Sequence, residues 1–453
     1  MTILGIPSGL KKSNYKQMKF YNREKELAQL QKIRQRSTQS AQMTVVIGRR
    51  RIGKTSLLKK EMEGQVAVYL FVAKKSEALL CQEFVETVKL TLSVNTFGEI
   101  NRFRDFFAWV MELSKTRNFT LILDEFQEFR LINPSVFSEI QNLWDAGKAE
   151  SKLNLIFCGS VYSMMKDIFE NSKEPLFARA TAKMVIQPFE VSVLKQILGD
   201  TNPDFTPNDL LAFYSLTGGV AKYVENFISA GAFTLDEMLE EIFTENSLFL
   251  EEGKNTLIEE FGRDYTTYFS ILSLIASSKT SRPEIESILE MSIGPFLDKL
   301  ENDFSLIKKI RPILAKPTGR TVKYEIVDNF LCFWFRFIFK NYSAVEIGNF
   351  EFLKAQVRRD YPTFSGKMLE RYFMEQFKAS MNYSQLGTYW ERGNTNEIDL
   401  VAINSLDKKA VLAEVKVNRS KIDLGTLANK STGLWPQLTG YEVEYKALSL
   451  EEM

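Results

Sequence analysis

The segment "TVVIGRRRIGKTSLLKK", which starts at Thr44, constrains the fold of this chain more than any other. A β-branched run leads into the residues Gly48 to Thr55, and an apolar-periodic helix follows, so the spacing GxxxxGK[ST] lies between a predicted strand and a predicted helix. Gly48 and Gly53 permit backbone torsions that aim successive N–H groups inward, and the helix N-terminus adds its positive end. The segment therefore predicts a loop that binds a polyphosphate mainly through its main chain.

The side chains of this loop predict the ligand. Lys54 is expected to reach the β- and γ-phosphates of ATP, and Thr55 to give its hydroxyl to Mg²⁺. Ser56, the next residue, is counted among the nucleotide-binding positions. ATP and Mg²⁺ are thus the predicted cofactors.

A second motif, "FTLILDEFQEF", supplies a buried strand that ends in Asp124 and Glu125. An acid at the end of a strand beside the loop can hold magnesium through water, and the second acid can polarise the attacking water. We therefore predict Asp124 as a nucleotide and metal residue and Glu125 as catalytic. The alternative is a buried strand that happens to end in acids.

Two further segments carry candidate residues. The strand "LNLIFCGS" ends at Ser160, which could contact the γ-phosphate or the attacking water, or could only cap the next helix. "EPLFARA" places Arg179 after a proline turn, where it could stabilise the transferred phosphoryl group from its own chain or from a neighbouring subunit, or do neither. Strands near 44–47, 66–72, 120–124 and 153–159 alternate with helices, which predicts a doubly wound parallel sheet.

These motifs, together with "FYNREKELAQL" at 20–30, resemble the archaeal-type P-loop ATPases of the AAA+ superfamily. The resemblance implies that Asn22 and Arg23 lie near the adenine, that residues 1–200 form the ATPase domain, and that a helical lid follows at 201–262. In that lid, Thr206 and Pro207 are predicted as N-cap and first helical residue.

The chain departs from the family pattern at two positions. Ala178 stands where glycine is usual before the arginine, and Ala221 stands where proline is usual after the glycine pair. Neither position touches the phosphate chemistry, so both departures concern the geometry of the lid and its neighbours.

Residues 263–340 change pattern to three short helices and two strands joined by a Pro-Thr-Gly turn, which predicts a winged helix-turn-helix module. Six basic residues and no acid lie from Lys308 to Lys323, which favours phosphate contacts. The third helix carries mainly acids, which oppose them. DNA reading and packing against another domain or protein stay open as alternatives. The aromatic run "FLCFWFRFIF" at 330–339 predicts a buried connecting helix.

The last segment, 341–453, contains a helix "FSGKMLERYFMEQFKAS" with Glu370, and then the hairpin "EIDLVAINSLDKKAVLAEVKVN". Because strand side chains alternate, Asp399 shares a face with Glu397, and Glu414 shares one with Lys416. Such acids can hold one or two Mg²⁺ or Mn²⁺ ions for phosphodiester cleavage, while the lysine positions or deprotonates the nucleophile. The flanking apolar runs predict strands buried on both faces.

This spacing resembles the PD-(D/E)xK nuclease superfamily and, after an archaeal-type ATPase, the DUF234-type family. The resemblance implies a restriction-endonuclease-like α/β domain acting on DNA, with Asp399, Glu414 and Lys416 as catalytic positions. It makes Glu370, with the two strand acids, the metal ligands, and Glu397 an accessory. One alternative is an ATP-dependent switch or a DNA- or protein-binding regulator whose nuclease-like domain is inactive. Another is a protein that binds ATP without hydrolysing it.

Composition narrows the chemistry. The chain has no histidine, which excludes Ser-His-Asp hydrolysis and His-ligated zinc, so hydrolysis must use carboxylates, lysine, arginine and hard metals. A net charge of +1 creates no overall electrostatic field that would attract nucleic acid or acidic membranes. Cys81, Cys158 and Cys332 are too scattered for a disulfide framework. A cytoplasmic protein that does not enter membranes is expected, and its oligomeric state stays open.

Overall fold

The computed structural model describes residues 18–96, 98–262, 265–316, 319, 321–393 and 395–453. The amino-terminal part contains a five-stranded sheet whose paired strands are all parallel, in the order β2-β3-β4-β1-β5. Its strands are β1 Gln42–Ile47, β2 Ala67–Phe71, β3 Phe119–Asp124, β4 Leu153–Gly159 and β5 Ala182–Val185. The predicted parallel sheet is confirmed, and β5 is an additional strand at its edge.

Helices cover both faces of this sheet. They are α1 Glu24–Ser37, α2 Lys54–Met62, α3 Glu77–Leu92, α4 Phe103–Thr116, α5 Phe129–Ile132, α6 Ser135–Gly147, α7 Tyr162–Glu170 and α8 Val191–Thr201. Along β1, Val45 and Val46 belong to two different apolar cores, because neighbouring strand residues point to opposite faces. All residues of β1, β3 and β4 are buried, as expected of central parallel strands.

A helical region follows, with α9 Pro207–Thr217, α10 Ala221–Ala230, α11 Leu235–Ile242 and α12 Leu248–Phe261. The predicted start of α9 is confirmed. Thr206 Oγ1 accepts from the Asp209 N–H at 3.2 Å, the Asp209 carboxylate accepts from the Thr206 N–H at 2.8 Å, and Pro207 is the first helical residue. The sequence therefore fixes this helix end locally.

The next elements are α13 Tyr265–Ala276, α14 Arg282–Leu289, α15 Gly294–Asn302, and an antiparallel pair, β6 Ile307–Ile310 and β7 Lys323–Ile326. Pro317 and Thr318 of the predicted turn, and the predicted boundaries at residues 1 and 263, lie outside the described residues. Beyond β6, the Ile313 N–H donates to the Thr388 carbonyl at 2.8 Å. This module is therefore joined to the carboxy-terminal sheet.

The aromatic run forms α16 Asn329–Phe333 and a π-helical turn, Trp334–Ile338, and is buried as predicted. After the short α17 Tyr342–Glu346 comes α18 Phe350–Ala379, a helix of 30 residues. The predicted helix began only at Phe364. The structure carries it through Pro362, a residue that removes a backbone donor and usually marks a helix end.

The carboxy-terminal sheet has four strands in the order β11-β10-β9-β8. They are β8 Gln385–Tyr389, β9 Ile398–Asn404, β10 Lys409–Val415 and β11 Glu442–Leu448, with α19 Leu424–Lys430 before β11. β9 and β10 form the predicted hairpin, and nearly all their residues are buried. Among the helices of the described ranges, none is long and apolar enough to cross a membrane. The three cysteines are buried and unpaired.

Candidate functional site

The loop between β1 and α2 has the geometry that its glycines predict. Gly53 has a φ of +96°, in the left-handed region that favours glycine. A Cβ on Gly48 would lie 3.0 Å from Ile52 Cγ2 and 3.1 Å from the Ile186 carbonyl oxygen. Both glycines are therefore required by the shape of the loop.

Lys54 lies inside this loop. Its buried ammonium donates to the carbonyls of Gly48, at 2.6 Å, and Arg49, at 3.0 Å. Burial lowers the pKa of Lys54 because it disfavours the charged form. The ammonium rests on neutral carbonyls, so a phosphate group is a stronger acceptor than its present partners.

The magnesium-binding pair predicted from the sequence meets at the ends of α2 and β3. Thr55 Oγ1 donates to Asp124 Oδ2 at 3.4 Å, and Asp124 is buried. The same carboxylate oxygen accepts from the Tyr69 hydroxyl, a contact that the sequence did not indicate. Burial raises the pKa of Tyr69, so this hydroxyl remains a donor. A hydroxyl and a carboxylate are hard oxygen donors, and this pair fits Mg²⁺.

Glu125 and Ser160 contact each other directly. Glu125, with φ +53°, accepts from Ser160 Oγ at 2.7 Å and from Gln127 Nε2 at 2.5 Å through its Oε2 atom. Ser160 does not cap the next helix, whose N-cap is Val161, so that alternative is wrong. The serine instead holds the carboxylate expected to polarise water.

Asn22 and Arg23 take left-handed backbone torsions, with φ of 56° and 81°. The buried Arg23 guanidinium donates to the carbonyls of Ile52, at 3.3 Å, and Gln187, at 2.7 Å, and lies 5.0 Å from the Phe189 ring centroid. Arg23 thus connects Ile52 of the phosphate-binding loop with Gln187. Its expected position beside adenine stays a prediction.

Arg179 is held within its own surroundings. Its Nε and Nη2 atoms donate to Asp145 Oδ2 at 3.0 and 2.9 Å, and its Nη1 donates to the Pro175 carbonyl at 2.7 Å. None of these partners belongs to the loop at 48–55. Ala178 has a φ of +57°, in the left-handed region that favours glycine, which is the usual residue at this position in the family that the sequence resembles.

The three arginines inside the loop pair with acids far away in sequence, a feature that sequence reasoning missed. Each meets a carboxylate from α12 or from the segment before α16. The pairs are Arg49–Asp328 at 3.5 Å, Arg50–Glu259 at 2.7 Å and Arg51–Glu252 at 2.8 Å. The run of arginines was the available signal, but nothing local indicates their partners.

The predicted residues of the carboxy-terminal hairpin converge. The register pairs Ala413 with Leu400, so Asp399 and Glu414 are the next neighbours. Lys416 Nζ lies 3.0 Å from Asp399 Oδ2 and 3.0 Å from Glu414 Oε1. Burial raises the pKa of Asp399, whose carboxylate also accepts from the Val415 N–H at 2.8 Å.

Glu370 lies on α18, close enough for the charge of Asp399 to act on it. Burial, reinforced by that charge, raises the pKa of Glu370 to about 7, although Lys367 Nζ lies 2.6 Å away and opposes the shift. Glu397 instead pairs with Lys323 of β7 at 2.9 Å. The predicted helical acid therefore belongs to the cluster electrostatically, and Glu397 faces another module.

Lys430 on α19 is a further member that the sequence did not indicate, with its Nζ 3.1 and 3.0 Å from the two oxygens of Glu414. Within the described ranges, no group of three or more carboxylates and thiols is arranged to hold a metal ion. Asp399 and Glu414 are a pair of hard donors bridged by Lys416. They fit a divalent ion that takes the place of the lysine ammonium.

The parallel sheet, the glycine loop around Lys54, and the acids at the end of β3 define a P-loop ATPase. Residues 20–227 match a family model described as an ATPase domain predominantly from Archaea. Residues 334–426 match DUF234, described as archaeal and bacterial proteins of unknown function. The chain is thus an ATPase, and a part of it nearer the carboxy terminus matches a second family model.

An uncharacterized protein of Methanocaldococcus jannaschii is 28% identical over 406 residues, which are 88% of this chain and 87% of that protein. The Walker-type ATPase PABY2304 of Pyrococcus abyssi has a similar fold, with a TM-score of 0.54 and 18% identity, over 70% of this chain and 96% of that one. Cdc6p from Pyrobaculum aerophilum aligns over 78% of this chain and 97% of its own, at 14% identity and a TM-score of 0.38.

Proposed function

We propose that ATP turnover at the P-loop controls a metal-dependent phosphodiester-cleaving site in the carboxy-terminal domain, with DNA as substrate. The single observation that carries this proposal is the convergence of Asp399, Glu414 and Lys416 at the ends of two buried strands. The proposed domain organisation is an AAA+ ATPase domain at 1–200, a lid at 201–262, a winged helix at 263–340 and a PD-(D/E)xK nuclease-like domain at 341–453.

At the ATPase site, Lys54 would exchange its carbonyl partners for the β- and γ-phosphates, and Thr55 and Asp124 would hold Mg²⁺. Glu125, positioned by Ser160, orients and polarises the attacking water. Arg179, whose present contacts lie outside the P-loop, is proposed to act on the nucleotide of a neighbouring subunit in an oligomer.

At the carboxy-terminal site, Asp399 and Glu414 would hold Mg²⁺ or Mn²⁺, which when bound activates water and neutralises charge on the phosphate. Lys416, released from the two carboxylates, points its ammonium at the scissile phosphate or the nucleophile. Glu370 of α18 is proposed as a further ligand of that ion, and burial raises its pKa to about 7, so without the ion it can hold a proton near neutral pH. The hairpin thus supplies two of the ligands and the lysine, and α18 supplies the third ligand.

A second function is favoured by one specific observation. Each acid of the cluster already has a lysine partner: Asp399 has Lys416, Glu414 has Lys416 and Lys430, and Glu370 has Lys367. Carboxylates neutralised in this way need no metal. The alternative is therefore an ATP-dependent switch whose carboxy-terminal domain binds DNA or protein without cleaving it.

A cleavage assay on labelled single- and double-stranded DNA, with Mg²⁺ or Mn²⁺, separates the two functions. The first predicts cleavage that Asp399→Asn abolishes and that Glu125→Gln leaves detectable. Asp407→Asn, which changes an exposed acid in the turn between β9 and β10, is the matched control and should cut normally. Phosphate release from ATP with no cleavage of any DNA would reject the nuclease and leave the switch.

Metal binding is tested separately by titrating Mn²⁺ into the wild-type chain and into Asp399→Asn, with ATP absent. The nuclease proposal predicts a Mn²⁺ site that the variant loses. Both proteins also carry Thr55→Ala, which removes the contribution of the P-loop to Mn²⁺ binding. An identical Mn²⁺ isotherm for the two would contradict a site at the hairpin.

A further inference from the structure

The three arginines of the P-loop differ in how firmly they are held. Arg51 meets Glu252, which is only 1% exposed and also accepts from the Tyr223 hydroxyl at 2.8 Å. Arg49 donates to the Ser305 carbonyl at 2.5 Å in addition to its acid partner. Both are therefore half-buried links between the P-loop and the elements that follow the sheet.

Arg50 has a looser environment. Its side chain is 41% exposed, and its ion-pair partner is Glu259 of α12, whose side chain is 31% exposed. Glu259 has a second cation nearby, because Lys74 Nζ lies 3.6 Å from its carboxylate. If Arg50 moves away, Glu259 therefore keeps Lys74 as a positively charged partner.

Arg50 lies near the residues that are expected to act on the terminal phosphate. Arg50, Ser160 and Glu259 line one small cavity beside the P-loop, and Ser160 is the residue that holds Glu125. The charge of Arg50 also reaches Lys54, since it adds to the effect of burial in lowering the pKa of that lysine. The guanidinium thus lies among the groups expected around the terminal phosphate.

We propose that Arg50 is an additional γ-phosphate ligand, which exchanges the carboxylate of Glu259 for the terminal phosphate of ATP. A guanidinium binds a phosphate through two parallel N–H donors, and the phosphate of ATP carries more charge than one carboxylate. ADP lacks the γ-phosphate and leaves Arg50 with Glu259. The chain thereby distinguishes ATP from ADP through one side chain of its own P-loop.

This exchange changes how α12 is attached. Glu260, the next residue of α12, accepts from the Tyr162 N–H at 2.7 Å and from Ser163 Oγ at 2.5 Å, at the start of α7. α12 therefore contacts both the P-loop and the segment after Ser160. When Arg50 turns to the phosphate, α12 loses one P-loop contact and keeps its contact with α7. The ATP-bound and ADP-bound chains should thus differ first at this helix.

The test is the affinity of the full chain for fluorescent ATP and ADP analogues, in Arg50→Ala and in Glu259→Gln. If Arg50 binds the γ-phosphate, Arg50→Ala weakens ATP about tenfold more than ADP, which is the scale of a charge-assisted hydrogen bond. Glu259→Gln frees Arg50, so it should strengthen ATP binding relative to ADP. The two variants change the ATP-to-ADP affinity ratio in opposite directions.

A purely structural ion pair gives a different result. Removing either partner would then have the same effect, because the same contact is lost, and ATP and ADP would respond alike. Equal shifts for both nucleotides, or shifts of the same sign in both variants, overturn the proposal. Arg102→Ala, which removes a surface arginine paired with Glu139 at 3.3 Å, is the matched control and should leave both affinities unchanged. Arg50→Lys should retain part of the ATP preference, because lysine keeps the charge without the paired donors.

Discussion

Gly253, in the middle of α12, lies directly against the indole of Trp334. A Cβ at this position would lie 2.2, 2.4 and 2.7 Å from the indole carbons Cδ2, Cε3 and Cε2. Trp334 is only 1% exposed, and its Nε1 donates to the Leu250 carbonyl at 2.9 Å, so the ring has no free space to occupy. Gly253→Ala therefore forces α12 and the π-helical turn apart.

The size of the effect follows from opposing contributions. Alanine in a helix interior gains about 1 kcal/mol over glycine. Overpacking costs about 1–3 kcal/mol, and strain or loss of the Trp334 hydrogen bond costs about 1 kcal/mol more. The expected net result is a chain destabilised by about 1–3 kcal/mol, measured by urea unfolding followed through tryptophan fluorescence and circular dichroism.

Gly199, in α8, provides a control with the same chemical change. A Cβ there would meet no heavy atom within 4 Å, so Gly199→Ala should stabilise the chain by about 1 kcal/mol through helix propensity alone. The two substitutions should have opposite signs. If Gly253→Ala stabilises the chain as Gly199→Ala does, the close packing of α12 on Trp334 is refuted.

Three further outcomes are expected. Glu125→Gln should keep ATP binding and the Ser160 contact but lower phosphate release about 100-fold or more; unchanged turnover would remove Glu125 from the reaction. Ala221→Pro should raise the free energy of unfolding by about 0.4–1 kcal/mol, because Ala221 is the first residue of α10 and follows the extended Val220 (ψ 118°); a lower urea midpoint would contradict this. Burial raises the pKa of Glu260, so the folded chain holds a proton there that the unfolded chain releases, and stability should fall as pH rises from about 4.5 through the folded value. Glu260→Gln should weaken that dependence in urea midpoints measured across pH 4.5 to 8, and an unaltered dependence would count against it.

The parts of the molecule that could be predicted from sequence are those set by near neighbours. The P-loop, its strand and its helix lie within Gln42 to Met62, and the conformation of the loop requires its two glycines. The hairpin was equally accessible, because a short turn and a period of two place Asp399 beside Glu414. In both cases the functional side chains follow from local backbone geometry.

The contacts that were missed join residues far apart in the chain. Arg50 and its partner Glu259 are far apart in the sequence, because strands β2 to β5 and their helices lie between them, and no sequence pattern links the two residues. Tyr69 reaches Asp124 because β2 and β3 are adjacent, an order that the sequence did not specify. The start of α18 was misplaced because Pro362 normally ends a helix, and here tertiary packing overrides that preference.

Two polar contacts, which involve neighbouring residues of the chain, connect the P-loop with the helix that carries Glu370. Arg49 of the loop meets Asp328, and the next residue, Asn329, accepts from Arg371 Nη1 at 3.0 Å. Arg371 follows Glu370, the helical acid of the carboxy-terminal cluster, on α18. If ATP binding moves Arg49, these two contacts offer a route by which the change would reach α18, the helix of Glu370.

Asp328→Asn tests this route without disturbing the local fold. Asp328 is the N-cap of α16, and its Oδ1 accepts from the Leu331 N–H at 3.0 Å. Asparagine caps helices equally well, so the substitution keeps the cap and removes the charge and the acceptor oxygen that Arg49 contacts. If the route carries the ATP signal, the ATP-induced change in hydrogen exchange at β9 and β10 should shrink in Asp328→Asn. It should persist in the control Asp303→Asn, which changes an exposed acid at the end of α15. An undiminished change in Asp328→Asn would show that ATP acts on the carboxy-terminal sheet through other contacts, and the joint between Arg49 and α16 would then serve packing alone.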